Sequence, residues 1–222
     1  MPGRDWHRYL PDFWEALGQT LYMAGLSAVL VLLLGVTVGT VLYLTAPGSW
    51  RPSPIVYHAL NTIVNVGRSI PFLILIVLLI PFTRLVVGTT LGPVAALVPL
   101  TLGFSPFFSR LIEANLREVD QGRVEAARAI GVSTPQYVFR ILLPESLSGI
   151  IGSATIIVVG LVEGTAVAGA VGAGGVGDFA LTYGYARFLP ELMLIAVVAM
   201  VVIVQAVQIS GDTWIRLRRH KR

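Results

Sequence analysis

"EAARAIGVSTPQYVFRILLP", residues 125–144, is a polar, mildly basic segment set between two long apolar runs. Its local signals are dense. Asp120, just ahead of it, is a cap for a first helix, because its carboxylate can accept backbone N–H bonds. Val124, Ala127 and Ile130 then fall on one face of that helix. Gly131 stands where the left-handed conformation at a helix C-terminus favours glycine. Thr134 followed by Pro135 pairs a capping hydroxyl with a proline in the first turn, and starts a second helix. Tyr137, Ile141 and Leu142 form its apolar side, and Pro144 stops it and opens the next apolar run. Two caps, a hinge glycine and two apolar faces describe a compact two-helix knob over about 114–144, with little in common with a solvated connector.

The surroundings of the knob are those of a membrane protein. Of 222 residues, 55% are hydrophobic and 13% charged, with a mean hydropathy of +0.79; a soluble domain carries about 25% charge. A helix needs about 20 apolar residues to cross the hydrocarbon layer. Five stretches qualify: Leu17 to Leu44, Tyr57 to Phe82, Leu91 to Ile112, Ser146 to Val171 and Phe188 to Ser210. The expectation is an all-α, polytopic protein of five transmembrane helices, one transmembrane domain over 1–222, with a basic tail at about 211–222. The first 20 residues lack the short basic region followed directly by an apolar run that marks a cleaved signal, and are expected to be retained.

Charge and composition exclude several classes. The chain has no cysteine, which removes disulfides, thiolate metal sites and thiol nucleophiles. His7, His58 and His220 are scattered and make no ligand spacing. The basic excess is small and dispersed, which does not fit nucleic acid; in a membrane protein, cations mark the cytoplasmic side. With the knob inside, the inner segments carry Arg51, Arg110, Arg117, Arg123, Arg128, Arg140, Arg216, Arg218, Arg219, Lys221 and Arg222, against Arg4, Arg8, Arg84 and Arg187 outside. That bias places the N-terminus outside and the C-terminus inside.

Gly35 with Gly39, and Gly160 with Gly164, are small residues at four-residue spacing that let helix backbones approach closely; packing within the chain is favoured over a dimer contact. Pro71, Pro93, Pro99 and Pro106 fall in the second and third spans, where freed carbonyls need partners from neighbouring helices or water. These helices are expected to line the protein interior or a pathway.

The segment Glu125-Ala126-Ala127, then Gly131, then Ile141, Leu143 and Pro144, resembles the coupling motif of type I ABC importer permeases. "NVGRSIPFLILI", "IPFTRLVVGT", "VPLTLGFSPFFSRLIEANL" and "GAVGAGGVGD" are similar to the methionine branch of that family, most strongly over Tyr57 to Gly211. The resemblance implies a homodimer in the bacterial inner membrane, two copies of a cytoplasmic ABC ATPase, an extracytoplasmic substrate-binding protein, and a pathway for methionine or a related amino acid. It makes the knob the element that docks on the ATPase. ATP and magnesium would belong to that partner, and no cofactor to this chain. The residues agree: a P-loop requires a lysine at the phosphates, and the one lysine is Lys221.

Other features carry alternatives. Gly172, Gly174 and Gly177 imitate a dinucleotide fingerprint, but no strand precedes them and no acidic residue follows about 20 positions on; a flexible, closely packed turn at the outer end of the fourth span fits better. Arg68 is either a pathway cation or an arginine paired or snorkelling within the bundle. Arg110, Glu113, Arg117 and Glu118 read as a solvated face with (i, i+4) or nearby pairing, and Trp6, Trp14, Trp50 and Trp214 as interfacial anchors. Glu163 departs from the methionine branch, where the resemblance implies a small or aromatic residue, and leaves the transported molecule open. With Val167 one turn on, it is a pathway candidate, because a carboxylate facing hydrocarbon is costly. A permease for another small solute, a stand-alone channel and a membrane enzyme remain as alternatives; the channel leaves the knob unexplained, and the enzyme lacks an intramembrane nucleophile–base pair.

Overall fold

Prolines and glycines draw most of the helix boundaries. The computed structural model describes residues 6–219; readings that rest on Arg4, His220, Lys221 and Arg222, or on the side chains of Trp6, Arg218 and Arg219, lie outside the described residues. After a tight turn at Trp6–Tyr9, α1 (Leu10–Thr45) starts with a proline in its first turn, where the missing N–H costs nothing. Its 36 residues span about 54 Å, well beyond the roughly 30 Å hydrocarbon layer. The next helices are α2 (Pro54–Ser69), α3 (Phe72–Leu78), α4 (Ile80–Val87) and α5 (Pro93–Arg117).

The second span is one crossing, but not one straight helix. Pro71 pushes the residue before it out of the helical region, and Ile70 is extended at φ −86°, ψ 123°. The axes of α2 and α3 turn by 106° at this break. Gly88 then ends α4 in the left-handed conformation at φ +84°, as a C-terminal cap prefers.

Beyond α5 lie the knob helices α6 (Gln121–Ala129) and α7 (Thr134–Tyr137), then α8 (Leu143–Ala168), α9 (Gly175–Phe179) and α10 (Pro190–Arg219). Pro144 does not stop a helix. The chain runs on from α7 through a wide π-type turn at Val138–Leu142 into α8, with Leu143 N–H bonded to the Val138 carbonyl. Local widening of this kind absorbs a bond that proline cannot make. The C-terminal tail is likewise helical, as far as Arg219.

The order of crossings follows from contacts at the two ends. Trp50, after α1, bonds Thr134 in the knob, whereas Gly92, before α5, donates to the Gly172 carbonyl at the opposite end. The segment α2–α4 therefore traverses the bundle. Phe13, Val176, Phe179, Leu189 and Leu192 cluster at that far end and bring together the starts of α1, α9 and α10. Gly211 on α10 packs closely on Thr155 of α8, and Ile215 lies near Gly152, one turn nearer the knob. Five crossings result, with the start of α1 and the end of α10 at opposite ends.

The central helix is α5. Leu100, Phe108, Ile112 and Leu116 on it are fully buried. Glycines set how close its neighbours come: a Cβ at Gly39 would stand 2.5 Å from the Ser109 carbonyl oxygen, and one at Gly35 would overlap the Phe108 ring. Gly160 and Gly164 of α8 meet Phe104 of α5 in the same manner. Both glycine pairs thus serve packing within the chain, where close approach supplies the attraction that water would otherwise drive. Pro99 and Pro106 lie inside α5, with Pro99 buried, so the third span sits at the centre of the bundle, whereas Pro71 of the second span is exposed and α2 buries only Val64.

Candidate coupling knob and pathway groove

In the knob, the Asp120 carboxylate accepts from Arg123 N–H at 3.1 Å and caps α6. Gly131 has φ +68°, the left-handed conformation anticipated for it. Two details differ from the sequence reading. Val124 and Ala127 are buried, but Ile130 is 76% exposed, because the chain leaves the helix at that residue. The cap of α7 is Ser133, one residue earlier than Thr134, and the Gln136 side chain accepts from its N–H in a capping box.

Thr134 is used otherwise. Its hydroxyl accepts from Trp50 Nε1 at 3.3 Å and from Arg51 Nε at 3.2 Å. The Trp50 ring stacks on Tyr137, the Tyr137 hydroxyl meets that of Tyr43 at 3.1 Å, and Arg128 donates to the Ser49 carbonyl at 2.7 Å while lying over the Trp50 ring. An ion pair between Arg123 and Glu145 ties α6 to the start of α8. The knob is thereby fastened to the α1–α2 turn, and Trp50 is a packing residue, not a lipid anchor. Sequence reading missed these contacts, and only the isolated Trp50-Arg51 between prolines hinted at them.

The motif residues divide into two sets. Glu125, Ala126, Gly131 and Pro144 are exposed on the knob. Ala127 is buried, and Ile141 and Leu143 pack half-buried on the main core.

The expected solvated face on α5 is a buried clamp. Glu113 is 1% exposed and takes Arg110 on one oxygen and Arg117 on the other, each at 2.6 Å. Arg110 also donates to Asn61 and Asn65 of α2 at 2.5 and 2.8 Å. A carboxylate this deep requires such pairing. Glu118 is exposed, as expected.

Arg68 and Glu163 border one groove of about 380 Å³ between α2, α3, α5 and α8, with Gly67, Phe72, Phe104 and Phe107 in its walls. The Arg68 guanidinium lies over the Phe107 ring, 5.2 Å from its centre. Val167 shares the exposed face of α8 with Glu163 but is not among the groove residues. The glycine-rich segment is closely packed: the Gln19 side chain accepts from Gly175 N–H at 2.8 Å and Thr20 from Val176 N–H at 2.9 Å. A Cβ on Gly177 would stand 2.5 Å from the Ala166 backbone. Among the described residues, no cluster of His, Asp or Glu is arranged to hold a metal ion.

A family model described as the inner membrane component of binding-protein-dependent transport systems matches residues 32–219. The chain belongs to that family. It is similar to the probable D-methionine transport system permease protein MetI of Vibrio cholerae serotype O1, 44% identical over 93% of this chain and 92% of the relative. It is 43% identical to the methionine import system permease protein MetP of Bacillus subtilis strain 168, over 91% of each. Among solved structures, a chain of the MetNI methionine ABC transporter in an inward-facing conformation matches with a TM-score of 0.92 and 40% identity, over 95% of this chain and 97% of that one. A chain of an amino acid ABC transporter crystallised with histidines, 18% identical at a TM-score of 0.78, shares the fold. The protein is a multi-pass inner-membrane permease of the type I ABC importer fold, which sets aside the stand-alone channel and the membrane enzyme.

Proposed function

We propose that this permease is the membrane-spanning subunit of a methionine importer, working as two copies with two cytoplasmic ABC ATPases and an extracytoplasmic binding protein. The observation that carries the reading is the near full-length match, at 0.92, to a chain of a solved methionine transporter. ATP and magnesium belong to the ATPase. The orientation is N-terminus outside and knob inside, as the arginine bias supports.

In this reading Glu125, Ala126, Gly131 and Pro144 present the docking surface, and Ala127, Ile141 and Leu143 root it in the core. Closure of the ATPases moves the knob. The Trp50–Tyr137 stack, the Thr134 bonds and the Arg128 bond pass that motion to α1 and α2, and the continuous helix from Thr134 passes it to α8. The bundle then rocks as a body between inward- and outward-facing states. Arg68, Glu163 and Val167 are the pathway residues.

The test is uptake of radiolabelled methionine by cells lacking their own methionine importers. Expression of this chain with its ATPase and binding protein should restore uptake, and omission of the ATPase should abolish it. Uptake that is not restored, or that proceeds without the ATPase, would overturn the proposal.

A further inference from the structure

We infer that the groove between Arg68 and Glu163 is a transient binding site for a zwitterionic α-amino acid with an apolar side chain. The inference rests on the importer reading above and deepens it by assigning a ligand site within this chain.

The groove brings one fixed cation and one fixed anion to a shared cavity whose remaining walls are largely apolar. Arg68 and Glu163 are both exposed to it. No nitrogen–oxygen pair between them comes within 4.0 Å, and neither joins an ion pair among the described residues. The Arg68 guanidinium rests on the face of Phe107, which holds it beside the cavity while leaving its N–H donors available. An α-amino acid carries the complementary pair: a carboxylate that a guanidinium can hold in two parallel bonds, and an ammonium that a carboxylate accepts.

The rest of the cavity suits an apolar side chain. Phe72 and Phe104 stand edge to face, 5.4 Å apart, and Phe107, Ile156 and Gly160 complete the wall. A volume of about 380 Å³ lies at the lower end of the roughly 300–1,000 Å³ typical of small-molecule sites. Sulfur and methyl groups make favourable contacts with aromatic edges. A ligand also answers the cost of the two charges. An exposed arginine and glutamate at membrane depth demand partners or water, and a zwitterionic amino acid supplies both signs at once.

The experiment is equilibrium binding to the full chain, purified with its ATPase in lipid nanodiscs and without binding protein. Three radiolabelled probes share one side chain: methionine, 4-(methylthio)butanoate, which lacks the ammonium, and 3-(methylthio)propylamine, which lacks the carboxylate. Methionine should bind at least tenfold more tightly than either analogue, since each charged hydrogen bond is worth about a factor of ten or more. Glu163→Gln should weaken methionine about tenfold and leave the butanoate unchanged. Arg68→Gln should weaken methionine similarly and leave the propylamine unchanged. The unchanged probe in each variant reports an intact fold, and the pairing of loss with probe is a signature that general damage does not produce.

Equal losses for all three probes, or losses independent of the group removed, would overturn the inference. So would the absence of saturable methionine binding in a transporter that still carries out ATPase-dependent methionine uptake in cells; that result leaves the importer reading standing. Failure of uptake in cells would instead strike the importer reading itself.

Discussion

Trp50 lies flat on Tyr137, with ring centres 4.0 Å apart and planes inclined by 9°. The pair joins the α1–α2 turn to a knob 87 residues further along the chain, and the two rings share further bonds to Thr134, Arg128 and Tyr43. Burial and the Tyr43 bond hold the Tyr137 phenol above its usual pKa, so it stays neutral at any physiological pH.

Trp50→Ala should loosen this joint by about 1–3 kcal/mol, from the lost stack and lost buried area. The expected phenotype is a complex that assembles and hydrolyses ATP, but imports less methionine per ATP. Parallel measurement of hydrolysis and uptake in proteoliposomes gives the ratio; an unchanged ratio would mean that the α1–α2 turn carries no coupling force.

At Gly131 the question is conformation alone. The residue has φ +68°, and an added Cβ there meets nothing within 4 Å. Gly131→Val should cost about 1–2 kcal/mol through backbone strain, whereas Gly131→Asn, which tolerates this region, should be close to neutral. Co-purification of the ATPase should fall for the valine variant and not for the asparagine one. Glu125→Lys, which reverses an exposed charge without straining the backbone, should weaken the same association. Equal retention in all three would remove the knob as the docking element.

Much of this was legible in the sequence because the signals were local. Helix propensity, the Asp120 cap, the left-handed glycine and the apolar runs each act within a few residues, so pattern reading located five crossings and the knob. What escaped depended on partners far apart in the chain. Nothing near Glu113 announces that α2 will bring Asn61 and Asn65 to Arg110 and turn a charged face inward. Ile130 has the spacing of a buried residue, but the helix ends there and the periodicity no longer applies. Arg68 and Glu163 are 95 positions apart; each could be suspected singly, and the fold alone gives them one groove.

Glu113 offers a stability test. Glu113→Ala strands Arg110 and Arg117 and should cost about 3 kcal/mol, the range for breaking a buried pair. Arg117→Ala should cost only about 1 kcal/mol, because its side chain is 51% exposed and Arg110 still satisfies the carboxylate. Thermal unfolding of the purified complex in detergent should rank the two in that order. The reverse order would mean that the clamp depends on Arg117 more than on Glu113.

Glycine positions on α1 should divide sharply. Gly39→Ala places a methyl 2.5 Å from the Ser109 carbonyl oxygen and 2.7 Å from the Ile112 Cβ, whereas Gly18→Ala meets nothing within 4 Å. The first forces α1 away from the helix it packs on, since backbone cannot yield as a flexible side chain does. The second should be neutral or slightly stabilising, by helix propensity. Folded yield in fluorescence-detected size exclusion separates them. Comparable yields would mean that α1 and α5 adjust their spacing freely.

The absence of cysteine makes the sidedness of the chain simple to test. Ile130 is 76% and Phe188 80% exposed; they lie at opposite ends of the bundle, one in the knob and one in the turn before α10. The arginine distribution puts the knob in the cytoplasm, where an ATPase dock must be. A membrane-impermeant maleimide added to intact spheroplasts should therefore label Phe188→Cys and spare Ile130→Cys, and inverted membrane vesicles should show the reverse. Each position controls for the other, because one reagent in one preparation has to reach one end and miss the other. Labelling of Ile130→Cys from outside would invert the topology and remove the cytoplasmic docking role of the knob, whatever the match in fold.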